Sequence, residues 1–107
     1  MQTGYLTVMK VSGDPDELAA QYEQSADTLE RVGRDHDLIV HAAAKADDGL
    51  LVVNLWPSKE ESEAATADQR RIEAVAQHQL DPSQVGRDHY SVTNWYTGPA
   101  SVPAAAE

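Results

Sequence analysis

Residues 50–63 read LLVVNLWPSKEESE. From Leu50 to Trp56 every residue is apolar except Asn54, the pattern of a strand covered on both faces. Pro57 ends that strand. Ser58, with Glu61 three residues on, is a capping box that opens a helix. Asn54 and Trp56 are two residues apart, so they share one face of the sheet. An amide on a buried strand must hydrogen-bond either to the fold or to a ligand. The functional question is which of the two Asn54 does.

Working outward, Asp47, Asp48 and Gly49 form a hairpin turn, with Asp-Gly the strong signal. Leu38 to Lys45 before it is a strand, and so is Tyr5 to Val11, rich in β-formers and broken at Gly13. Asp14, Pro15 and Glu17 supply the N-cap, the first-turn proline and the capping-box acid of a helix. Leu18, Tyr22, Ala26, Leu29 and Val32 form its apolar stripe, and Gly33 fits its stop. Downstream, the helix opened by Ser58 is expected to run to Gln79, with a weaker apolar side of Ala65, Ile72, Val75 and Ala76. Asp81-Pro82-Ser83 is a turn, and His89 to Tyr96 is a fourth strand. Residues 1–98 form one domain. Residues 99–107 have little to bury and are expected to be flexible or draped over a partner.

The order is strand, helix, strand, strand, helix, strand. That is the ferredoxin-like βαββαβ plan: an α+β fold with a four-stranded antiparallel sheet and two helices on one face. Two helices cover only one face. Yet the third strand is apolar on both, with Leu51, Val53 and Leu55 on one side and Leu50, Val52 and Trp56 on the other. Something must cover the second face, and a second copy packed sheet to sheet is the economical answer. A homodimer is therefore expected.

Composition narrows the function classes. The chain has 107 residues, no Phe, no Cys and only 6% aromatic residues. Its core is lean, a shortfall that oligomerisation offsets, and thiolate metal sites are excluded. The net charge is −10, from 18 acidic and 8 basic residues. Such a surface repels phosphate backbones and anionic membranes, so neither nucleic acid nor membrane is an expected partner. No apolar run approaches the roughly 18 residues of a membrane span. MQTGYLTVMK lacks the basic start and apolar run of a signal peptide. A cytoplasmic protein is expected.

The plan, the length, the helix start GDPDEL at residues 13–18 and the strand ending VNLWPSKEE at residues 53–61 resemble the dimeric α+β barrel superfamily. The nearest branch comprises small proteins similar to antibiotic-biosynthesis monooxygenases. The resemblance spans residues 4–97. It implies a ligand cleft between sheet and helices, with a Trp near the end of the third strand facing it, a place that Trp56 matches. The superfamily includes cofactor-free oxygenases, haem-degrading enzymes, cyclases and isomerases, so it specifies fold more closely than activity. Haem-degrading relatives carry a haem-ligating His where His78 stands, together with an Asn on the first strand. Here that strand reads Leu6, Thr7, Val8, Met9, and no cofactor is expected.

The candidate catalytic residues are Asn54, His41 and His78. The amide of Asn54 has donors for a phenolate or enolate oxygen, and an imidazole moves the proton. Trp56, Tyr22 and Ile72 are the candidate substrate-binding residues. Each has a plain structural alternative: Trp56 and Tyr22 as core, Asn54 bonded to backbone or a tyrosine, and His78 as a solvated helix end where the dipole favours it. His41 and His89 fall on the two edge strands, far apart in one chain, and would meet only across a dimer interface. The acids of DPDE and SKEESE are helix starts rather than a metal cluster. The expected function is a cofactor-independent oxygenase or cyclase acting on an aromatic or polyketide-like molecule. The alternatives are a non-catalytic dimer that binds a hydrophobic small molecule as a sensor or carrier, a dimeric interaction protein without a ligand, or, as the resemblance implies, a haem-degrading monooxygenase.

Overall fold

A computed structural model describes residues 1–98. Its elements are β1 (Gly4–Ser12), α1 (Pro15–Asp35), β2 (Val40–Ala46), β3 (Gly49–Trp56), α2 (Lys59–Thr66), α3 (Gln69–Ala76), a 3₁₀ turn (Pro82–Gln84) and β4 (Val85–Val92). The sheet order is β2-β3-β1-β4 with every pair antiparallel, the ferredoxin-like arrangement. The expected tail, residues 99–107, lies outside the described residues. No helix among the described residues is long and apolar enough to cross a membrane.

The helix starts follow their sequence signals. Asp14 accepts from the backbone N–H of Asp16 and Glu17 at 2.9 and 3.0 Å, satisfying two orphan donors of α1. Ser58 accepts from Glu61 N at 3.2 Å to cap α2. The Glu61 carboxylate does not close the expected box. It turns instead towards His36 Nδ1, 3.5 Å away.

Three local expectations are corrected. Gly33 does not end α1, which continues to Asp35; the left-handed residue of the exit is Asp37, at φ 59°. Gly33 is there for closeness, since a Cβ on it would meet the Leu38 side chain at 2.7 Å. The hairpin turn at Asp47 and Asp48 stands as expected; Gly49 opens β3 behind it, and a Cβ there would lie 2.0 Å from the Val11 carbonyl oxygen. The helix expected over residues 59–79 is two helices, because Asp68 caps a fresh start by accepting from Arg70 N at 2.9 Å. The last strand sits four residues earlier than expected. Trp95 lies beyond it, folded back so that its N and Nε1 donate to the carbonyls of Gln2 and Thr3 at 3.1 Å each.

Alternation along the strands sends Leu50, Val52, Asn54 and Trp56 towards the helices and Leu51, Val53 and Leu55 to the other side. The core on the helix side is in two pieces. Val11, Leu18, Leu50 and Val52 make one, with Met9 and Val85 packed against it. Val32, Trp56 and Ala65 make the other, with Tyr5 and Leu38 against it. On the opposite face, no helix covers the sheet among the described residues, and Val40 and Tyr90 are exposed at 41% and 52%.

Candidate functional site

Between the two apolar clusters one polar row crosses the whole sheet. His41 pairs with Asn54, Asn54 with Thr7, and Thr7 with His89, so one residue from each strand stands in register. The rows on either side are apolar on the central strands: Val52 with Met9, and Trp56 with Tyr5. All four side chains of the row line a cavity of about 520 Å³ between the sheet and the helices. That volume suits a drug-sized ligand. Tyr22, Ala26 and Val32 of α1, Ala65 and Thr66 of α2, and Arg71 and Val75 of α3 wall its other side.

The hydrogen bonds fix the orientation of the row. His41 Nδ1 lies 2.6 Å from Asn54 Oδ1, and His41 Nε2 is hydrogen-bonded to the Tyr22 hydroxyl. An amide oxygen only accepts, so Nδ1 carries the proton and donates. In the neutral ring Nε2 then accepts, and the Tyr22 hydroxyl donates to it. Burial, helped by the Glu30 carboxylate, pushes the Tyr22 phenol above its ordinary value and keeps it protonated as that donor. With Oδ1 committed to His41, the Asn54 Nδ2 donors make no hydrogen bond to any described residue. They stand on the cavity wall. Thr7 Oγ1 accepts from Trp56 Nε1 at 3.4 Å, leaving its own proton to donate. His89 makes no side-chain hydrogen bond among the described residues; its ring stacks on Tyr5 with centroids 5.8 Å apart.

Of the residues singled out from the sequence, the fold brings Asn54, His41, Trp56 and Tyr22 to one cavity. It does not bring His78 or Ile72 there. The restart at Asp68 resets the helical phase, so α3 turns Arg71 and Val75 to the cavity. Ile72 is left 44% exposed. His78 follows α3 and lies on the α1 side, with Nε2 3.0 Å from the Oγ of the buried Ser25. That position does not suit a haem ligand either: the imidazole is tied to a neighbouring helix and lies off the cavity lining. Among the described residues no group of three or more His, Cys, Asp or Glu could hold a metal ion.

Sequence reasoning gave little weight to His89 and none to Thr7, Arg71 or Arg87 as site residues. His89 and Arg87 alternate with outward residues on an edge strand and read there as ordinary surface. Both project to the helix side. A partner packed on the opposite face of the sheet therefore would not bring His41 and His89 together; the cavity of one chain already contains both. Arg71 sits in a polar stretch whose phase is visible only once the helix break is known.

No family model matches the chain, and no curated protein matches its sequence. Solved structures do match its fold. SnoaB, a cofactor-independent oxygenase from Streptomyces nogalater, superposes with a TM-score of 0.59 at 14% identity, over 92% of this chain and 99% of that one. The monooxygenase ActVA-Orf6 of Streptomyces coelicolor, solved with nanaomycin D, gives 0.69 at 16% identity, over 92% and 95%. A further antibiotic biosynthesis monooxygenase gives 0.66 at 7% identity, over 84% and 99%. The fold is therefore the ferredoxin-like one that these monooxygenases adopt.

Proposed function

We propose that the protein is a cofactor-independent oxygenase acting on an aromatic, polyketide-like molecule held in the cleft. The observation that carries this reading is the Asn54 Nδ2 pair, unpartnered among the described residues and held by His41 in a polar row flanked by the apolar pairs Val52–Met9 and Trp56–Tyr5. Donors aimed at a place where negative charge develops stabilise the charged state more than the neutral one.

The chemistry suits a substrate such as an anthrone, whose doubly benzylic methylene is acidified by conjugation with the carbonyl across the central ring. The carbonyl oxygen accepts from Asn54 Nδ2 and the Thr7 hydroxyl. His89, the unbonded imidazole of the row, takes the proton from carbon. The substrate carbanion supplies the electrons to dioxygen, a C–O bond forms, and the resulting hydroperoxide loses water to leave a second carbonyl. One dioxygen is consumed and one water released for each methylene converted to a ketone. His41 has both ring nitrogens engaged and positions Asn54 rather than moving the proton. Trp56 and Val52 bound the aromatic rings above and below the row and keep water from the carbanion.

The functional unit in this proposal is a homodimer joined through the uncovered sheet face, where Leu51, Val53 and Tyr90 lie. The test of function is dioxygen uptake with dithranol, an anthrone. Uptake well above the enzyme-free rate, with the matching anthraquinone as product, supports the reading. Saturable binding of dithranol with no uptake replaces it with a carrier or sensor.

A further inference from the structure

Two guanidinium groups face the same cavity without a carboxylate. Arg71 comes down from α3 and Arg87 comes up from β4, one residue pair along from the His89 end of the polar row. Lys10, Arg34, Lys45 and Arg70 each pair with an acid at 2.7–3.1 Å. Arg31, Lys59, Arg71 and Arg87 pair with none among the described residues, and of these four Arg71 and Arg87 line the cavity. Glu30 also lines the cavity, but Arg34 holds its carboxylate at 2.7 Å. Among the described residues the Arg71 head makes one hydrogen bond, Nη1 donating to the Thr66 carbonyl at 3.4 Å, a long bond that leaves most of its fork free.

Burial lowers the proton affinity of Arg71, and the positive charge of Arg87 lowers it further. An arginine keeps its proton regardless, so two like charges line one cleft at an energetic cost. An anion between them removes that cost and gains charge-assisted hydrogen bonds, with fork geometry matched to a carboxylate. The neighbouring hollow lined by Leu80, Pro82 and Val85 shares Arg87, Met9 and Val75 with the main cavity. Arg87 therefore stands where the two hollows meet, on β4, two strands away from Asn54 on β3.

We infer that Arg71 and Arg87 form a carboxylate subsite, so that the ligand of this cleft is an aromatic acid gripped at one end by two arginines while its reacting carbonyl meets Asn54. The inference rests on the cleft being a ligand site, and it names the class of substrate rather than the reaction. It also gives the reaction a direction: the preceding enzyme must deliver a ring system that still carries a free carboxyl group.

The test compares anthroic acid with its methyl ester by fluorescence titration, at low and at physiological salt. The wild-type protein is expected to bind the acid at least about tenfold more tightly than the ester, a charge-assisted effect weakened by salt for the acid alone. Arg71→Met and Arg87→Met, which keep the apolar stem, should each remove most of that preference and leave ester affinity within about twofold. Arg71→Lys, which keeps the charge, should retain part of it. Equal binding of acid and ester by the wild type, binding of neither, or a preference that survives in the Arg71→Met/Arg87→Met double variant overturns the subsite. Should either Met variant fail to fold, the salt dependence in the wild type decides alone. Acid preference without dithranol oxidation leaves the subsite standing and removes the oxygenase; oxidation with equal binding does the reverse.

Discussion

His41 donates from Nδ1 to Asn54 Oδ1 at 2.6 Å, and this bond settles which end of the amide meets the cavity. Without it, the amide is free to turn its oxygen inward, where it would repel a developing oxyanion. His41→Ala should therefore lower kcat for dithranol oxidation by about tenfold, the cost of a misplaced donor, with little change in KM. His41→Gln, which offers an amide donor at similar reach, should recover part of the loss. A KM effect without a kcat effect would place His41 in binding instead.

Trp56 is 6% exposed and packs with Val32 and Ala65 in the core cluster at one end of the cleft. Trp56→Ala should cost roughly 3–5 kcal/mol in urea unfolding, the usual range for a large aromatic lost from a core. Trp56→Phe, which keeps most of the ring area but loses the bond to Thr7, should cost clearly less. Equal losses for the two would show that the indole N–H, not packing, is what matters.

The uncovered face predicts association. Val53 stands at its centre on β3, between neighbours from β1 and β2. Val53→Asp should convert a dimer to a folded monomer in sedimentation equilibrium, because a charge would be desolvated against an apolar partner surface. A wild-type protein that sediments as a monomer, or a variant that remains dimeric with native circular dichroism, contradicts the sheet-to-sheet dimer.

The acid limb of stability should depend on Asp68. Hydrogen bonds from Arg70, and then from His36, hold its carboxyl far below the usual carboxylate range. A depressed native pKa stabilises the fold above the unfolded value of about 4, and that contribution is lost as pH falls through the native pKa. Asp68→Asn keeps a capping oxygen but not the charge. Its melting temperature should lie below wild type at pH 7, and the gap should close as pH drops below about 4. A gap that stays constant down to acid pH would assign the effect to the cap geometry alone.

The sequence made the fold legible wherever the signal was local. Pro57 after Trp56, Ser58 before Glu61, and Asp14 before Pro15 each mark a boundary through chemistry within one turn. The turn glycines were harder. Gly33 makes room for Leu38, five residues on across the chain reversal after α1, and Gly49 for Val11 on another strand, contacts that a turn signal does not announce. Within the site, Asn54 and Trp56 stood out because polarity breaks a run of apolar residues. Tyr22 was legible from its helical stripe. His89, Thr7, Arg71 and Arg87 were not, because nothing in their own neighbourhoods sets them apart. They become a site only through the register of β1 with β4 and the fresh helical phase after Asp68. That break had a written signal, an Asp followed by a helical run, but it was masked by the alanines around it.

The account turns on Asn54 as the donor to a substrate oxyanion, and Asn54→Ala tests it most directly. The measurement is the initial rate of dioxygen uptake with saturating dithranol, on variant and wild type with matching circular dichroism and melting profiles. The account predicts a kcat lower by about a hundredfold, the usual cost of one oxyanion donor, with KM changed much less. A variant that takes up dioxygen at the wild-type rate would contradict it, and Asn54 would then be a residue that serves only to hold His41.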